Sequence, residues 1–433
     1  MGKRHLSWVL GLTLLAVLPL GAAEALWQPL NSLDDLARNY VLLVLRLDKH
    51  IAGFNDYYYG PPEWKQRVEA EEKIPVGELR REVAAWLAAL NGVKGPAARR
   101  GWFRKQLMAL DANLRQLQGE KLSVAEQARL LYDLEVIPPP SEELEAARDK
   151  LERLLPGPGP LAERLQAWRE KFHLSEDQLP KAYRLALEVT RERTHALLLL
   201  PPDEEVELYF VKNKSWSAYN WFQGNAHSRI EVNTDLPARA THIFAFAAHE
   251  AYPGHHTDLT TREQRLYGER GYLEWCVSPL FTPASTMAEA AAQVGAEIVL
   301  SREERLAWHR NVFFPALGLT GVDVELWLKV EEVLGTLGRA RERVPFMLFD
   351  EGKSEEEIVV FLQQYALMSP ERARKAVAFS RAWGAYTFNY TVGREILRRY
   401  LATGNARAKF VQLLTTPIYP SLVKEWIRTG AEP

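Results

Sequence analysis

The stretch HEAYPGHH, residues 249 to 256, places three histidines and one glutamate within eight positions. It begins like the zinc-peptidase signature H-E-x-x-H, but Pro253 stands where the second histidine would be. An ordinary polar turn is the simplest interpretation. The whole chain has only ten histidines, however, so three of them beside a glutamate favour a metal site.

A metal site at this stretch requires a break in the helix. In a straight helix, His249 and His256 would share a face but lie about 10 Å apart along the axis, whereas each ligand of one zinc lies within about 2.1 Å of it. His249 and His255 would face different sides. Pro253 removes a backbone donor and Gly254 frees the backbone, so a bend can return one histidine to His249. Spacing leaves both candidates open.

Glu250 occupies the position of a general base, directly after His249. Such a glutamate takes a proton from the attacking water and passes it to the leaving amine. A catalytic zinc usually keeps three protein ligands, and TMAEAAAQVGAEIVL offers Glu289 and Glu297 as the third. Alanines around Glu289 would let that helix pack closely; a solvent-facing glutamate is the alternative. We predict one Zn²⁺ per chain, although this donor set also suits other first-row metals.

The elements around the motif predict a mainly α fold of the α+β type. Helical patterns fill residues 24–200, with proline- and glycine-rich connectors at 137–143 and 155–161. The segments EVELYFV, SWSAYNWFQG and SRIEVNT predict strands. We expect a small antiparallel β-sheet next to the metal-site helix, ARATHIFAFAAHE. SRIEVNT is either an edge strand that pairs with a peptide or a half-exposed strand with a polar face.

Composition and charge exclude some classes of protein. The formal net charge is -2 over 433 residues, so a strongly basic nucleic-acid binder is excluded. A basic start, an apolar run and the small residues GAAEA predict a signal peptide at residues 1–23, with an uncleaved anchor as the alternative. We therefore predict an exported protein, periplasmic or extracellular, without a membrane span after signal removal. The single cysteine, Cys276, is expected to be a small core residue.

HEAYPGHH resembles the H-E-x-x-P-G-H signature of the DUF885 family, bacterial proteins placed near the gluzincin-type zinc peptidases. The resemblance extends over about residues 180–410. LLLLPPDEEVELYFV leads into the strands as in that family, MAEAAAQVGAEI takes the place of its EGWALYAE-like helix, and YTVGREILRRYL resembles its Tyr-x-x-Gly-Lys segment. The resemblance implies a zincin-like catalytic region at 201–433 with C-terminal helices, after an N-terminal helical region at 24–200.

The resemblance also implies roles for individual residues. His249, His255 and Glu289 would be the zinc ligands, His255 being the fixed histidine after Pro-Gly. Tyr390 would stabilise an oxyanion and Arg394 would hold a substrate carboxylate; a buried tyrosine and a surface arginine are the alternatives. The family's Gly-Trp is Ala290-Ala291 here, and its lysine is Arg394. These departures concern the substrate pocket more than the metal.

The predicted function is that of a zinc-dependent hydrolase, in particular a metallopeptidase that acts on peptides with Glu250 as general base. The alternative is a non-enzymatic or degenerate protein that binds a metal or a peptide on the same scaffold. A hydrolase of other amides or esters would use the same chemistry. The sequence does not specify the substrate, endo- or exo-cleavage, or the oligomeric state.

Overall fold

The computed structural model describes residues 26–214, 216–235 and 237–431. The signal-peptide prediction for residues 1–23 falls outside these ranges. Within them, none of the helices combines the length and the apolar character that a membrane crossing requires.

The first part of the chain is almost entirely helical. Its helices are α1 (Leu33–Asp48), α2 (Pro62–Ala70), α3 (Val76–Ala89), α4 (Ala97–Leu117), α5 (Val124–Tyr132), α6 (Ser141–Leu154), α7 (Leu161–Glu170) and α8 (Leu179–His195). Serine caps start α1 and α5: at α1 the Ser32 side chain accepts from the backbone N–H of Asp35, and the Asp35 carboxylate accepts from the backbone N–H of Ser32. The predicted proline-rich connectors separate α5 from α6 and α6 from α7.

In the described part of the chain, five strands form two small sheets. They are β1 (Asn55–Tyr58), β2 (Glu205–Val211), β3 (Ala218–Gly224), β4 (His227–Asn233) and β5 (Val277–Pro279). β1 pairs antiparallel with β5. The other sheet has the order β2-β4-β3, and it is mixed, because β4 pairs parallel with β2 and antiparallel with β3.

The position of β4 within the sheet corrects one hypothesis from the sequence. The segment SRIEVNT forms β4, which lies in the centre of the sheet with neighbours on both sides. It therefore cannot accept a peptide at its edge, and the edge-strand hypothesis is wrong. Its backbone groups are already used in the ladders with β2 and β3.

The rest of the chain returns to helices, which carry the candidate site. They are α9 (Ala240–Glu250), α10 (His255–Arg262), α11 (Pro283–Val299), α12 (Arg302–Trp308), α13 (Phe314–Ala316), α14 (Val324–Gly338), α15 (Arg343–Pro345), α16 (Glu355–Ala366), α17 (Pro370–Trp383), α18 (Arg394–Leu401), α19 (Ala406–Leu414) and α20 (Pro420–Thr429). The prediction of a mainly α protein with a small sheet is confirmed.

Three large apolar cores join elements that are distant in sequence. One contains α1, α3 and α4 together with Trp275 and Cys276, so the single cysteine is a buried core residue, as expected. A second combines α6, α7 and α8 with α9 and α14. The third packs α5 against α11 and the C-terminal helices. Each core thus includes residues from both sides of position 200, and α11 is held on several faces.

Candidate metal centre

The chain breaks between α9 and α10, as the proline and glycine of the motif predict. α9 ends at Glu250 and α10 begins at His255. A Cβ atom on Gly254 would lie 1.8 Å from the backbone oxygen of His249 and 2.4 Å from that of Ala248. Only glycine therefore allows the chain to pass this close to the last turn of α9. The close passage is what returns His255 to His249.

His249, His255 and Glu289 form the cluster that could hold a metal ion. Their ligand atoms all lie within 4.8 Å of one another. His249 Nε2 is 3.4 Å from Glu289 Oε2, and His255 Nε2 is 3.6 Å from the same oxygen. Ligands at about 2.0–2.1 Å from a tetrahedral zinc are separated by about 3.3–3.4 Å. The two separations from Glu289 Oε2 therefore match a tetrahedral zinc closely, and the two imidazole nitrogens lie within 4.8 Å of each other.

The electrostatics of the cluster favour ionised Glu289. Burial alone would raise the pKa of this carboxyl, but His249 and His255 outweigh it and hold the pKa well below its usual range. Burial likewise opposes protonation of His255, yet Glu289, Glu250 and Asp258 raise its pKa to about 9. Glu289 Oε2 is buried and has no hydrogen-bond partner among the described residues. A cation between the three groups would satisfy this oxygen.

His256 points away from the cluster, and both of its ring nitrogens are already engaged. Nδ1 lies 2.9 Å from the Ser228 hydroxyl, and Nε2 lies 2.9 Å from Glu204. Glu204 also accepts from Tyr252 and His195. Burial would raise the pKa of Glu204, but these hydrogen bonds lower it to about 2. His256 thus fixes the start of α10 on β4, which leaves His255 as the histidine that faces His249.

Two tyrosines complete the wall beside Glu289. Tyr386 donates to Glu289 Oε1 over 3.0 Å. Tyr390 interacts with the same carboxylate, and its ring centroid lies 6.3 Å from that of His249. Burial, followed by the Glu289 charge, raises the pKa of both phenols well above the usual value. Both hydroxyls therefore stay protonated and can donate hydrogen bonds.

A π-helical turn presents Tyr390 to the cluster. The turn spans Asn389–Gly393, and such turns often occur at functional sites. A Cβ on Gly393 would lie 3.2 Å from Ala290 Cβ and 3.3 Å from Thr286 Cγ2. Glycine on the turn and alanine on α11 therefore let the two backbones approach closely. This explains in part why alanine follows Glu289 in the sequence.

Glu250 lies beside the cluster without belonging to it. The residue is 9% exposed, and its charge acts on His255, Tyr219 and Tyr390. In the part of the chain that the structure describes, the Glu250 carboxylate forms no hydrogen bond or ion pair. Its backbone oxygen instead accepts from the Asn220 amide over 2.7 Å. The carboxylate is thus available to a reactant.

An aspartate–tyrosine pair that the sequence did not reveal faces the same space. Tyr219 on β3 donates a hydrogen bond to Asp56 on β1. Burial, with Glu289 and Glu250, raises the pKa of Asp56 to about 6, although Tyr219 and His255 oppose the rise. No motif marks Asp56, because β1 and β3 lie far apart in sequence and meet only in the fold. Tyr386 does have a local signal, because it lies four residues, about one helical turn, before Tyr390.

The structure does not bring Arg394 to the cluster. Its Nη2 atom donates to Glu297 Oε1 over 2.6 Å, and Arg398 binds the other oxygen. Glu297 lies eight residues beyond Glu289 on α11, about 12 Å along the helix axis. Glu297, the second carboxylate offered by the sequence, therefore pairs with α18 instead of approaching the two histidines. The substrate-binding role of Arg394 stays a prediction.

Comparisons with known proteins concern the fold. It is similar to that of a "putative lipoprotein" from Colwellia psychrerythraea, with a TM-score of 0.50 and 12% identity over 93% of this chain and 77% of that chain. A "putative lipoprotein of unknown function" from Shewanella oneidensis gives 0.47 and 11% over 92% and 78%. The M32 carboxypeptidase from Deinococcus radiodurans gives 0.34 and 11% over 91% and 89%.

No protein-family model and no curated protein matches the sequence. At 12% identity, the likeness to the Colwellia protein shows a shared fold alone. The resemblance to the DUF885 family therefore stays a prediction. The chain has the helical fold of that solved structure and a His249–His255–Glu289 cluster that could hold a metal ion.

Proposed function

We propose that this protein is an exported zinc-dependent hydrolase that cleaves peptide bonds. One observation carries the proposal: two imidazole nitrogens each lie close to a tetrahedral ligand separation from one carboxylate oxygen, and an unpartnered carboxylate, Glu250, lies beside them. Two histidines and a glutamate form a known ligand set of catalytic zinc. Export rests on the signal sequence pattern and on the description of the Colwellia protein as a "putative lipoprotein".

The chain's own residues supply the proton transfers. When bound, the metal would acidify a water molecule and polarise the scissile carbonyl. Glu250 accepts the proton of the attacking water and later delivers it to the leaving amine. Tyr390, which stays protonated, donates a hydrogen bond to the developing oxyanion. Tyr386 orients Glu289 by binding the oxygen that faces away from the histidines.

The roles of Glu250 and the cluster are separable by substitution. Glu250→Gln keeps the shape of the side chain but removes the base, so we expect hydrolysis to fall by about 10²–10⁴-fold. Because Glu250 is not a ligand in this proposal, the variant should retain one zinc per chain. The exposed glutamate Glu303 provides a matched control: Glu303→Gln should keep both zinc and activity.

The experiment is metal analysis of purified protein combined with cleavage of a fluorogenic peptide library, with and without a chelator. Chelator-sensitive cleavage by the wild type, lost in Glu250→Gln, supports the proposal. Stoichiometric zinc without cleavage of any peptide would instead favour the non-enzymatic metal-binding protein. Cleavage that survives both the chelator and Glu250→Gln would refute the assigned chemistry.

A further inference from the structure

The exposed face of α9 leads from the candidate metal centre to a second cluster of polar groups. His242 and His249 are seven residues apart, so they project within about 20° of each other and lie about 10 Å apart along the axis. Ala245, between them, is exposed, and so is His242. The small side chain of Ala245 keeps this face of α9 free of bulky groups between the two histidines. His242 lies at the N-terminal end of α9.

Four arginines lie near enough to His242 to act on it electrostatically. They come from four places in the fold: Arg169 in α7, Arg239 before α9, Arg341 after α14 and Arg372 in α17. The backbone fixes this arrangement, because Ala240 donates to Phe172 over 2.8 Å and Leu174 donates to Ala238 over 3.0 Å. The start of α9 is thus tied to the segment that follows α7.

The positive charge of the cluster is largely uncompensated. Among the described residues, none of the four arginine side chains forms a hydrogen bond or a close ion pair. Glu331 is the acid that acts on Arg169 and Arg239, and burial raises the pKa of Glu331 to about 7. Burial, followed by Arg169 and Arg372, lowers the pKa of Arg239 to about 10.

The cluster is enclosed but reachable from solvent. Burial and then the arginines lower the pKa of His242 to about 3, so this imidazole adds no charge at neutral pH. The side chains of His242, Arg341 and Arg372 nevertheless reach solvent. Groups that are surrounded by protein and still exposed line a concave surface. Such a surface focuses a positive field on whatever enters it.

We propose that Arg169, Arg239, Arg341 and Arg372 form a subsite for a carboxylate of the peptide substrate near His242, which lies about 10 Å along α9 from the candidate ligand His249. Guanidinium groups bind carboxylates with paired hydrogen bonds, and a bound anion would relieve the repulsion among the four cations. This inference rests on the proposed peptidase function and adds a substrate class to it, namely acidic peptides.

The separation sets where the carboxylate must lie in the substrate. An extended peptide advances about 3.3 Å per residue, so about 10 Å corresponds to three residues. The recognised group is thus a carboxylate about three residues from the bond at the metal. Both an acidic side chain and the terminal carboxylate of a short peptide have this chemistry.

The test measures binding separately from cleavage. Fluorescently labelled hexapeptides, in zinc-loaded protein with the Glu250→Gln substitution, are compared by anisotropy. One series carries Glu or Gln at each position, and a second has a free or an amidated terminus. We expect at least one acidic peptide to bind about tenfold or more tightly than its neutral partner. The series that shows the preference identifies which carboxylate is recognised.

Substitution of two of the four arginines should abolish the preference for acidic peptides. In the Arg239→Gln/Arg372→Gln variant, acidic and neutral peptides should bind equally, whereas the exposed control Arg428→Gln should keep the preference. Because two mutually repelling charges are removed, the double variant should melt no lower than the parent protein. A lower melting temperature would contradict the assigned repulsion.

Three outcomes would overturn the subsite. The first is equal binding or no binding of acidic and neutral peptides by the parent protein. The second is a preference that the double variant retains. The third is competition by inorganic phosphate at the arginines without any preference for acidic peptides. If the preference is found but wild-type protein cleaves no peptide, the peptidase proposal fails while the subsite stands.

Discussion

Gly254→Ala is expected to disrupt the candidate metal centre although residue 254 is not itself a ligand. The added Cβ would lie 1.8 Å from the His249 backbone oxygen, whereas ordinary contacts begin at 3.4 Å. The two segments must therefore separate by about 1.6 Å, and metal–ligand distances tolerate only about 0.2 Å. The obstructing atoms are backbone atoms of α9, so no side-chain rotation can relieve the overlap.

The expected effects are a loss of metal and a loss of stability. We expect zinc affinity to fall by at least about 100-fold, the upper end of the effect of removing an outer partner of a metal site. Overpacking of this kind costs about 3 kcal/mol of the free energy of unfolding. Competition with a fluorescent zinc chelator measures the first effect, and thermal or urea unfolding measures the second.

Gly335→Ala is the matched control. Gly335 lies in α14, is exposed, and a Cβ there would meet nothing within 4 Å. The same chemical change should therefore stabilise the helix by about 0.5–1 kcal/mol and leave zinc binding unchanged. If Gly254→Ala binds zinc within threefold of the wild type and unfolds at the same temperature, the account of the break between α9 and α10 is wrong.

Two further substitutions test the groups around the cluster. Tyr390→Phe should lower kcat by about 10²–10³-fold with zinc content unchanged, while Tyr365→Phe, on α16, should have no effect; a loss of zinc instead would show a structural role. Asp56 has a pKa of about 6 in the fold, above the ordinary 3.8, so its stabilising contribution is complete below about pH 4 and is lost as the pH rises through 6. In metal-free protein, Asp56→Asn should therefore gain melting temperature relative to the wild type more at pH 7 than at pH 4, and an equal difference at both values would contradict the assignment.

Local patterns in the sequence predict much of the fold. The strand EVELYFV begins and ends as β2 does, and Ser32 caps α1 through the hydrogen bonds that its spacing from Asp35 allows. The pairing of the strands cannot be predicted from local patterns in the same way. β2 lies parallel to β4 because the chain returns through β3, and no local pattern specifies that order. β1 and β5 are too short to give a periodic signal.

In the candidate site, too, local patterns predict some features and not others. Pro253 and Gly254 indicate a bend, and the alanines around Glu289 indicate a closely packed helix. Spacing could not distinguish His255 from His256; the distinction depends on Glu204 and Ser228, which bind His256 from outside the motif. Asp56 and the four arginines come from separate parts of the fold. Groups that meet only through long-range packing carry no mark in a single sequence.

The most direct test of the account is a crystal structure of zinc-loaded protein with anomalous data on both sides of the zinc absorption edge. We expect one strong anomalous peak, about 2.0–2.2 Å from Nε2 of His249, Nε2 of His255 and Oε2 of Glu289. We also expect the peak to disappear in Glu289→Ala protein. Absence of a peak at this cluster, or a zinc ion bound by His256 in place of His255, would contradict it.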